Sequence, residues 1–180
     1  MEIFYITGNE GKFREAKAIL PLLRRLPLDL EEIQSMDPIE VVKQKAEEAV
    51  KQSGLANFVV DDVSLFMEAM DYRLPGPFIK WFLKSIGSRG LFDLADKYGK
   101  YGVIAACTLC YVDGKGKKRV FSGRVKGKIV STSINSHDSW DNVFLPNGKK
   151  MTFADMPLPV KNEISHRGIA LGKLKKYLGM

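Results

Sequence analysis

The sequence predicts an α/β fold built on a mixed sheet, and three of its features lead to that class. Apolar strand patterns alternate with helix-period patterns through the first half, as a sheet covered by helices requires. A long β-ribbon then occupies roughly residues 101–132, turning at Asp113-Gly114-Lys115-Gly116, and adds antiparallel pairing. The length of 180 residues suits a single unit spanning residues 1–180, or one domain folded as two lobes around a cleft. No repeat, low-complexity tract or long linker divides it.

The elements follow in order. Residues 1–6, Met-Glu-Ile-Phe-Tyr-Ile, have no basic stretch of the secretory kind, and 2–6 alternate as a first strand. Thr7-Gly8-Asn9-Glu10-Gly11-Lys12 makes a tight turn into a helix that places Phe13, Ala16, Ile19 and Leu20 on one face and ends near Pro21. Leu26 to Leu30 is a short extended piece. Pro38 to Gln52 is a helix, with Pro in the first turn and Val42, Ala46, Ala49 and Val50 on one face. Phe58-Val59-Val60 is a buried strand that ends in Asp61-Asp62. After the Leu74-Pro75-Gly76-Pro77 loop come helices at Phe78–Ile86 and Gly90–Tyr98. Beyond the ribbon lie a loop, a short strand near Val143-Phe144, and two helices. Ser165 caps the last, which buries Ile169, Leu171, Leu174 and Leu178.

Composition narrows the function classes. The 45% apolar and 27% charged fractions support a core without staples. The longest apolar stretch, Val103 to Val112, is broken by Thr108 and too short to span a bilayer, so a cytoplasmic chain with no membrane partner is expected. Cys107 and Cys110 lie in that strand, where residues three apart face opposite sides; buried, inert thiols are expected rather than a zinc or redox pair. The net charge of +7 is concentrated between Gly114 and His137, where Lys115, Lys117, Lys118, Arg119, Arg124, Lys126 and Lys128 meet no acid. Such a patch suits nucleic acid or a polyanionic small substrate, or it is a solvated hairpin that protects an edge strand. The last is favoured, and no nucleic-acid partner is expected.

Four features can carry chemistry. Gly8 and Gly11 let a ligand approach the backbone of the first turn, where unpaired N–H groups, the helix dipole and Lys12 suit an anion such as phosphate; many strand-to-helix turns contain Gly and Asn for steric reasons alone. Asp61-Asp62 place two repelling carboxylates at the edge of a core, and magnesium resting on one or both is the compensation expected; a solvated acidic turn is the plainer reading. Ser165-His166-Arg167 set positive side chains on a helix start, against its dipole, so an anion or an acceptor-rich group is expected there, with Lys161 nearby. In Ser139-Trp140-Asp141-Asn142, a Trp beside an Asp can stack on a base and accept from its N–H groups, although on this motif alone an anchor tying the loop to the core is the favoured reading.

Together these motifs resemble the inosine triphosphate pyrophosphatase family. The likeness runs through Thr7-Gly8-Asn9-x-x-Lys12, Asp61-Asp62-x-Ser64-Leu65 and Leu74-Pro75-Gly76-Pro77-Phe78-Ile79-Lys80-Trp81-Phe82. It continues through Gly123-Arg124-x-x-Gly127-x-Ile129, Trp140-Asp141-x-x-Phe144-x-Pro146-x-Gly148, Thr152-x-Ala154-x-Met156 and Lys161-Asn162-x-x-Ser165-His166-Arg167. The resemblance implies an elongated α/β fold with a mixed sheet, two lobes, a central cleft and a homodimer. It implies magnesium-dependent hydrolysis of ITP, dITP and XTP to the monophosphate and pyrophosphate. By its pattern Thr7, Gly8, Asn9 and Lys12 hold the triphosphate, with charge added by Lys45 and Lys161. Glu32, Asp62 and Asp61 are the metal candidates, and Asp62 and Lys12 the catalytic ones. Trp140, Asp141, Ser165, His166 and Arg167 line the base pocket. One position departs: Asp138 stands where the family commonly carries an aromatic that stacks on the base, which leaves stacking to Trp140 or His137. The alternatives are a Maf-like pyrophosphatase for modified pyrimidine or 7-methylguanosine triphosphates, and a basic nucleic-acid-binding module.

Overall fold

The computed structural model describes residues 2–180; Met1 of the expected opening strand lies outside them. In chain order the elements are β1 (Ile3–Ile6), α1 (Glu10–Ile19), β2 (Leu23–Leu26), α2 (Pro38–Ser53), β3 (Phe58–Met67), β4 (Pro75–Gly76) and α3 (Ile79–Tyr98). They continue with β5 (Gly102–Val112), β6 (Lys118–Ile129), β7 (Phe144–Pro146), α4 (Leu158–Ile164) and α5 (His166–Tyr177). The strands form one open mixed sheet in the order β2-β1-β3-β5-β6-β7, with β4 paired on β3. β1 runs parallel to β2 and β3, and the remaining pairs are antiparallel.

The alternation of a strand distributes the core over both faces of this sheet. Val59, Cys107, Leu109 and Tyr111 pack with Ala16 of α1 and Ala170, Leu171 and Leu174 of α5. Phe58, Val60, Cys110 and Val112 face the other way, onto Val42, Ala46 and Ala49 of α2. The two cysteines therefore lie on opposite faces, free and buried, and burial pushes their thiols up to about 12 and about 11. Leu65, Met67, Val103, Ala105 and Ile129 pack against Leu83, Leu91 and Ala95 of α3 and against Phe144 and Phe153. Full burial of each Leu-sized chain contributes roughly 1.5–3 kcal/mol. The two ends of the sheet are thus covered by separate helix groups, which makes two lobes with a cleft between them.

Local chemistry sets the helix ends that matter. Asp37 caps α2 through the Ile39 N–H at 2.8 Å, and Ser165 caps α5 through the Gly168 N–H at 3.0 Å. Gly123 lets α5 lie directly on β6: a Cβ there would strike the His166 carbonyl and the Ala170 N–H.

Several expected boundaries move. The second strand is Leu23–Leu26, not Leu26–Leu30, because its register is set by pairing with β1. Asp61 and Asp62 lie inside β3, which continues to Met67, since every residue from Phe58 to Met67 finds a partner on β5. The two helices expected at 78–98 are present as the two arms of α3, which meet at Gly87, whose φ of 66° and ψ of 179° no helix accommodates. Val50 is exposed and Val41 buried on α2; Ile169 of α5 and Leu178 just past its end are only half-buried, while Ala170 is fully enclosed. The basic ribbon is spread over both faces. Lys118 pairs with Glu47 at 2.6 Å, and Arg119 and Arg124 lie over the rings of Tyr177 and Phe66.

Candidate active site

Between the lobes is a cleft of about 1000 Å³ that Thr7, Gly8, Asn9, Lys12, Glu32, Lys45, Asp62, Trp140, Asp141, Lys161, His166 and Arg167 all line. Its first wall is the turn from β1 into α1. Asn9 caps α1 by accepting from the Lys12 N–H at 3.0 Å, and its own N–H donates to Thr7 Oγ1 at 3.1 Å. Nothing in the chain lies within 4 Å of a Cβ added at Gly8. The protein's own packing does not demand this glycine, and the free space beside it belongs to the cleft.

The floor is β3, where strand alternation gives the two adjacent acids different surroundings. The Asp61 carboxylate, 2% exposed, is bonded to Lys12 Nζ at 3.2 Å and to Arg167 Nη2 at 3.4 Å. Burial alone raises its pKa, but Lys12, Arg167 and Lys45 overcome that and hold it well below the usual carboxylate range. Asp62 instead faces the cleft, and its Oδ2 accepts from Ser64 Oγ at 2.9 Å. Burial dominates there and pushes its carboxyl up to about 6, against the opposing pull of Lys12, the Ser64 hydroxyl and Lys45. Lys45 reaches across from α2, donating to the Asp61 carbonyl at 3.0 Å and pairing with Glu32.

The far wall comes from α4, α5 and the loop before β7. Lys161 Nζ donates to Glu15 at 2.7 Å and also to Asp141; Arg167 pairs with Glu15 and Asp61. Glu15 therefore holds two buried cations at once, and although burial raises its pKa, Arg167 and Lys161 bring it below the ordinary value. Beside them the Trp140 ring packs on His166 with centroids 5.4 Å apart, and Phe153 stacks on His166 at 6.0 Å. Trp140 is thus both the core anchor and a cleft wall. Both ring nitrogens of His166 and Nε of Arg167 are buried without a partner among the described residues. Burial, reinforced by Arg167 and Lys161, holds the His166 imidazole well below its usual pKa, so it is neutral, with one donor and one acceptor to offer. Ser165 does not line the cleft; it acts as the cap that starts α5.

The loop before β7 is gripped by the break in α3. Ser88, fully buried, donates from its backbone N–H to the Ser136 carbonyl at 2.8 Å, and its hydroxyl accepts from the Ser136 N–H at 2.9 Å and from Asn142 Nδ2 at 3.1 Å. His137 and Asp138 follow on the cleft rim. His137 Nδ1 is 3.0 Å from the Leu83 carbonyl.

Among the cleft residues, Glu15 and Phe153 have no part in the sequence reading, and Lys80 enters it only inside a motif, with no role. Glu15 lies three positions after Lys12, one helical turn along, a spacing that puts both toward one side. Lys80 lines the opposite lobe; burial raises the pKa of Glu32, and Lys45, with smaller help from Lys12 and Lys80, brings it below the ordinary value. Phe153 sits between the quoted Thr152 and Ala154. For a metal, no group of three or more His, Cys, Asp or Glu forms among the described residues. Of the three metal candidates, Asp62 and Glu32 line the cleft, while Asp61 is turned to Lys12 and Arg167. The cleft-lining pair fits a hard cation sharing phosphate oxygens, not a soft cation with a closed protein shell.

Comparison with known proteins gives the family and the fold. A sequence profile of the Ham1 family matches residues 3–177. The inosine triphosphate pyrophosphatase of Candida glabrata is 37% identical, over 98% of this chain and 97% of the relative, and that of Kluyveromyces lactis is 38% identical, over 98% and 95%. Among solved structures, a HAM1 protein from Coxiella burnetii superposes with a TM-score of 0.81 at 22% identity, covering 99% of both chains. A nucleoside-triphosphatase, or dITP/XTP pyrophosphatase, from Mycobacterium abscessus does so at 0.70 and 25% identity, covering 97% of this chain and 98% of that one.

Proposed function

The chain belongs to the Ham1 family, and from that premise we propose that it hydrolyses ITP, dITP and XTP to the nucleoside monophosphate and pyrophosphate, clearing them from the nucleotide pool. The observation that carries this reading is the convergence in one cleft of a carboxylate facing open space, an amide-rich turn flanked by lysines, and an aromatic pocket with unpaired polar atoms.

In this reading the base lies against Trp140 and Phe153, and the triphosphate runs toward Thr7–Lys12. The His166 N–H and the Arg167 Nε–H reward the 6-oxo oxygen of hypoxanthine or xanthine. The 6-amino group of adenine offers donors only, leaving those buried groups unpaired at a cost of roughly 1–3 kcal/mol each. Lys12 and Lys45 supply positive charge along the phosphates. Asp61 holds Lys12 and Arg167 in place, and Asp62, with Glu32, would hold a magnesium ion. When bound, that ion neutralises charge on the phosphates and lowers the pKa of water. Asp62 orients the attacking water and accepts its proton; no covalent nucleophile is required.

A magnesium requirement, a cytoplasmic setting and a homodimeric assembly complete the reading. No helix among the described residues is long and apolar enough to cross a membrane. The deciding experiment measures products from ITP, XTP, GTP and ATP with and without magnesium. Expected are pyrophosphate and monophosphate from ITP and XTP, far less from ATP, and none after chelation. Equal rates on all four, or undiminished turnover in chelator, would contradict the assignment.

A further inference from the structure

Arg25, on β2 behind the phosphate turn, donates from Nε to the Thr7 carbonyl at 3.2 Å and from Nη2 to the Gly8 carbonyl at 2.8 Å. Its Nη1 meets the Glu10 carboxylate at 2.9 Å, so each of the three guanidinium nitrogens has a partner. Two consecutive carbonyls thus point at one guanidinium. In a trans peptide the N–H lies opposite the C=O, so the Gly8 N–H, which shares a peptide with the Thr7 carbonyl, is directed away from Arg25. Gly8 lines the cleft and Arg25 does not. Away from Arg25 is therefore toward the cleft, and the Gly8 N–H has no acceptor among the described residues. The Asn9 N–H of the next peptide closes on Thr7 Oγ1, so both peptides of the turn are held.

We propose that Arg25 is a positioning residue for polyphosphate: it pins the Thr7 and Gly8 peptides so that the turn meets the cleft with a donor rather than a carbonyl. Its charge never touches the ligand; it acts through backbone orientation. A flipped Thr7–Gly8 peptide would present an oxygen to phosphate, replacing an attraction with a repulsion. The requirement is for a planar fork that holds two carbonyls at once, which a lysine's point charge does not supply. The inference rests on the triphosphate reading only in naming the ligand class.

The test is calorimetric binding of inorganic tripolyphosphate to the intact chain, which needs no turnover. Arg25→Ala should weaken binding about tenfold, the equivalent of one misdirected hydrogen bond. Arg25→Lys, which keeps the charge and guards against misfolding of the alanine variant, should lose nearly as much. In turnover, KM for ITP should rise by a similar factor while kcat stays within about threefold, a split that a merely structural staple would not produce. Unchanged tripolyphosphate affinity in Arg25→Ala, wild-type affinity in Arg25→Lys, or no tripolyphosphate binding by the wild type would each overturn the proposal. A wild type that binds tripolyphosphate yet releases no pyrophosphate from ITP would sink the catalytic reading and leave the role of Arg25 standing.

Discussion

Replacing Asp62 by Asn removes a charge and a proton acceptor while keeping the size of the side chain, and the structure ties the two consequences together. Asp62 is 6% exposed, and its carboxyl is pushed by burial from an ordinary 3.8 up to about 6. A rise of roughly two units corresponds to about 3 kcal/mol of resistance to ionisation. The native state holds this proton to higher pH than the unfolded chain does. Below about 3.8 the group is neutral in both states and costs nothing; stability is then lost as pH rises through about 6. The amide of the Asp62→Asn variant does not ionise and carries no such cost. In metal-free buffer, the stability of Asp62→Asn relative to wild type should therefore increase by about 2–3 kcal/mol between pH 4 and pH 7.5, read from urea unfolding. Turnover should fall by about a hundredfold to ten-thousandfold, as expected for loss of a general base. Near-normal kcat, or a stability difference that stays flat or shrinks with rising pH, would refute the reasoning.

Two further substitutions probe the walls of the cleft. Glu15→Gln removes the negative charge shared by Lys161 and Arg167, whose side chains are 9% and 6% exposed. Asp141 and Asp61 still hold one cation each, so the loss should fall near the lower end of the range for a broken buried pair, about 3 kcal/mol in urea unfolding, with a raised KM for ITP. A change below about 1 kcal/mol, the worth of a surface pair, would contradict the clamp. Gly87→Ala forces a side chain onto a backbone with φ of 66° and into the Asn135 side chain. Backbone strain alone should cost roughly 1–3 kcal/mol. Because the same break grips the loop leading to Trp140, KM should rise more than kcat falls; an unaffected KM would detach that loop from base binding.

Features set by local chemistry were legible in the sequence. The Pro38 start of α2, the Ser165 cap of α5 and the Thr7–Lys12 turn depend on near neighbours, and each lies where its residues indicated. The second strand was misplaced because Leu22, Leu23, Leu26, Leu28 and Leu30 are too densely apolar to set a register, which only pairing with β1 decides. Asp61-Asp62 read as a strand end because adjacent acids are rarely tolerated within a sheet. What tolerates them is Lys12 and Arg167, the latter 106 positions from Asp61. Glu15 escaped notice for the same reason. In sequence it is one more acid on a polar helix, and only the fold brings Lys161 and Arg167 to it. The basic ribbon drew attention through its density, yet the fold turns its side chains to different faces and gives several of them internal partners.

Hydrolysis of ITP in water carrying heavy oxygen addresses the central claim most directly, because it reports which phosphorus the water attacks. In the proposed reading Asp62 faces the cleft between the Thr7–Lys12 turn and the wall of Trp140, His166 and Arg167, and would direct the water to the phosphorus nearest the nucleoside. Mass spectrometry should find the label in inosine monophosphate and none in pyrophosphate. Label in pyrophosphate, or release of orthophosphate with inosine diphosphate, would contradict the arrangement of base, carboxylate and phosphate described for this cleft.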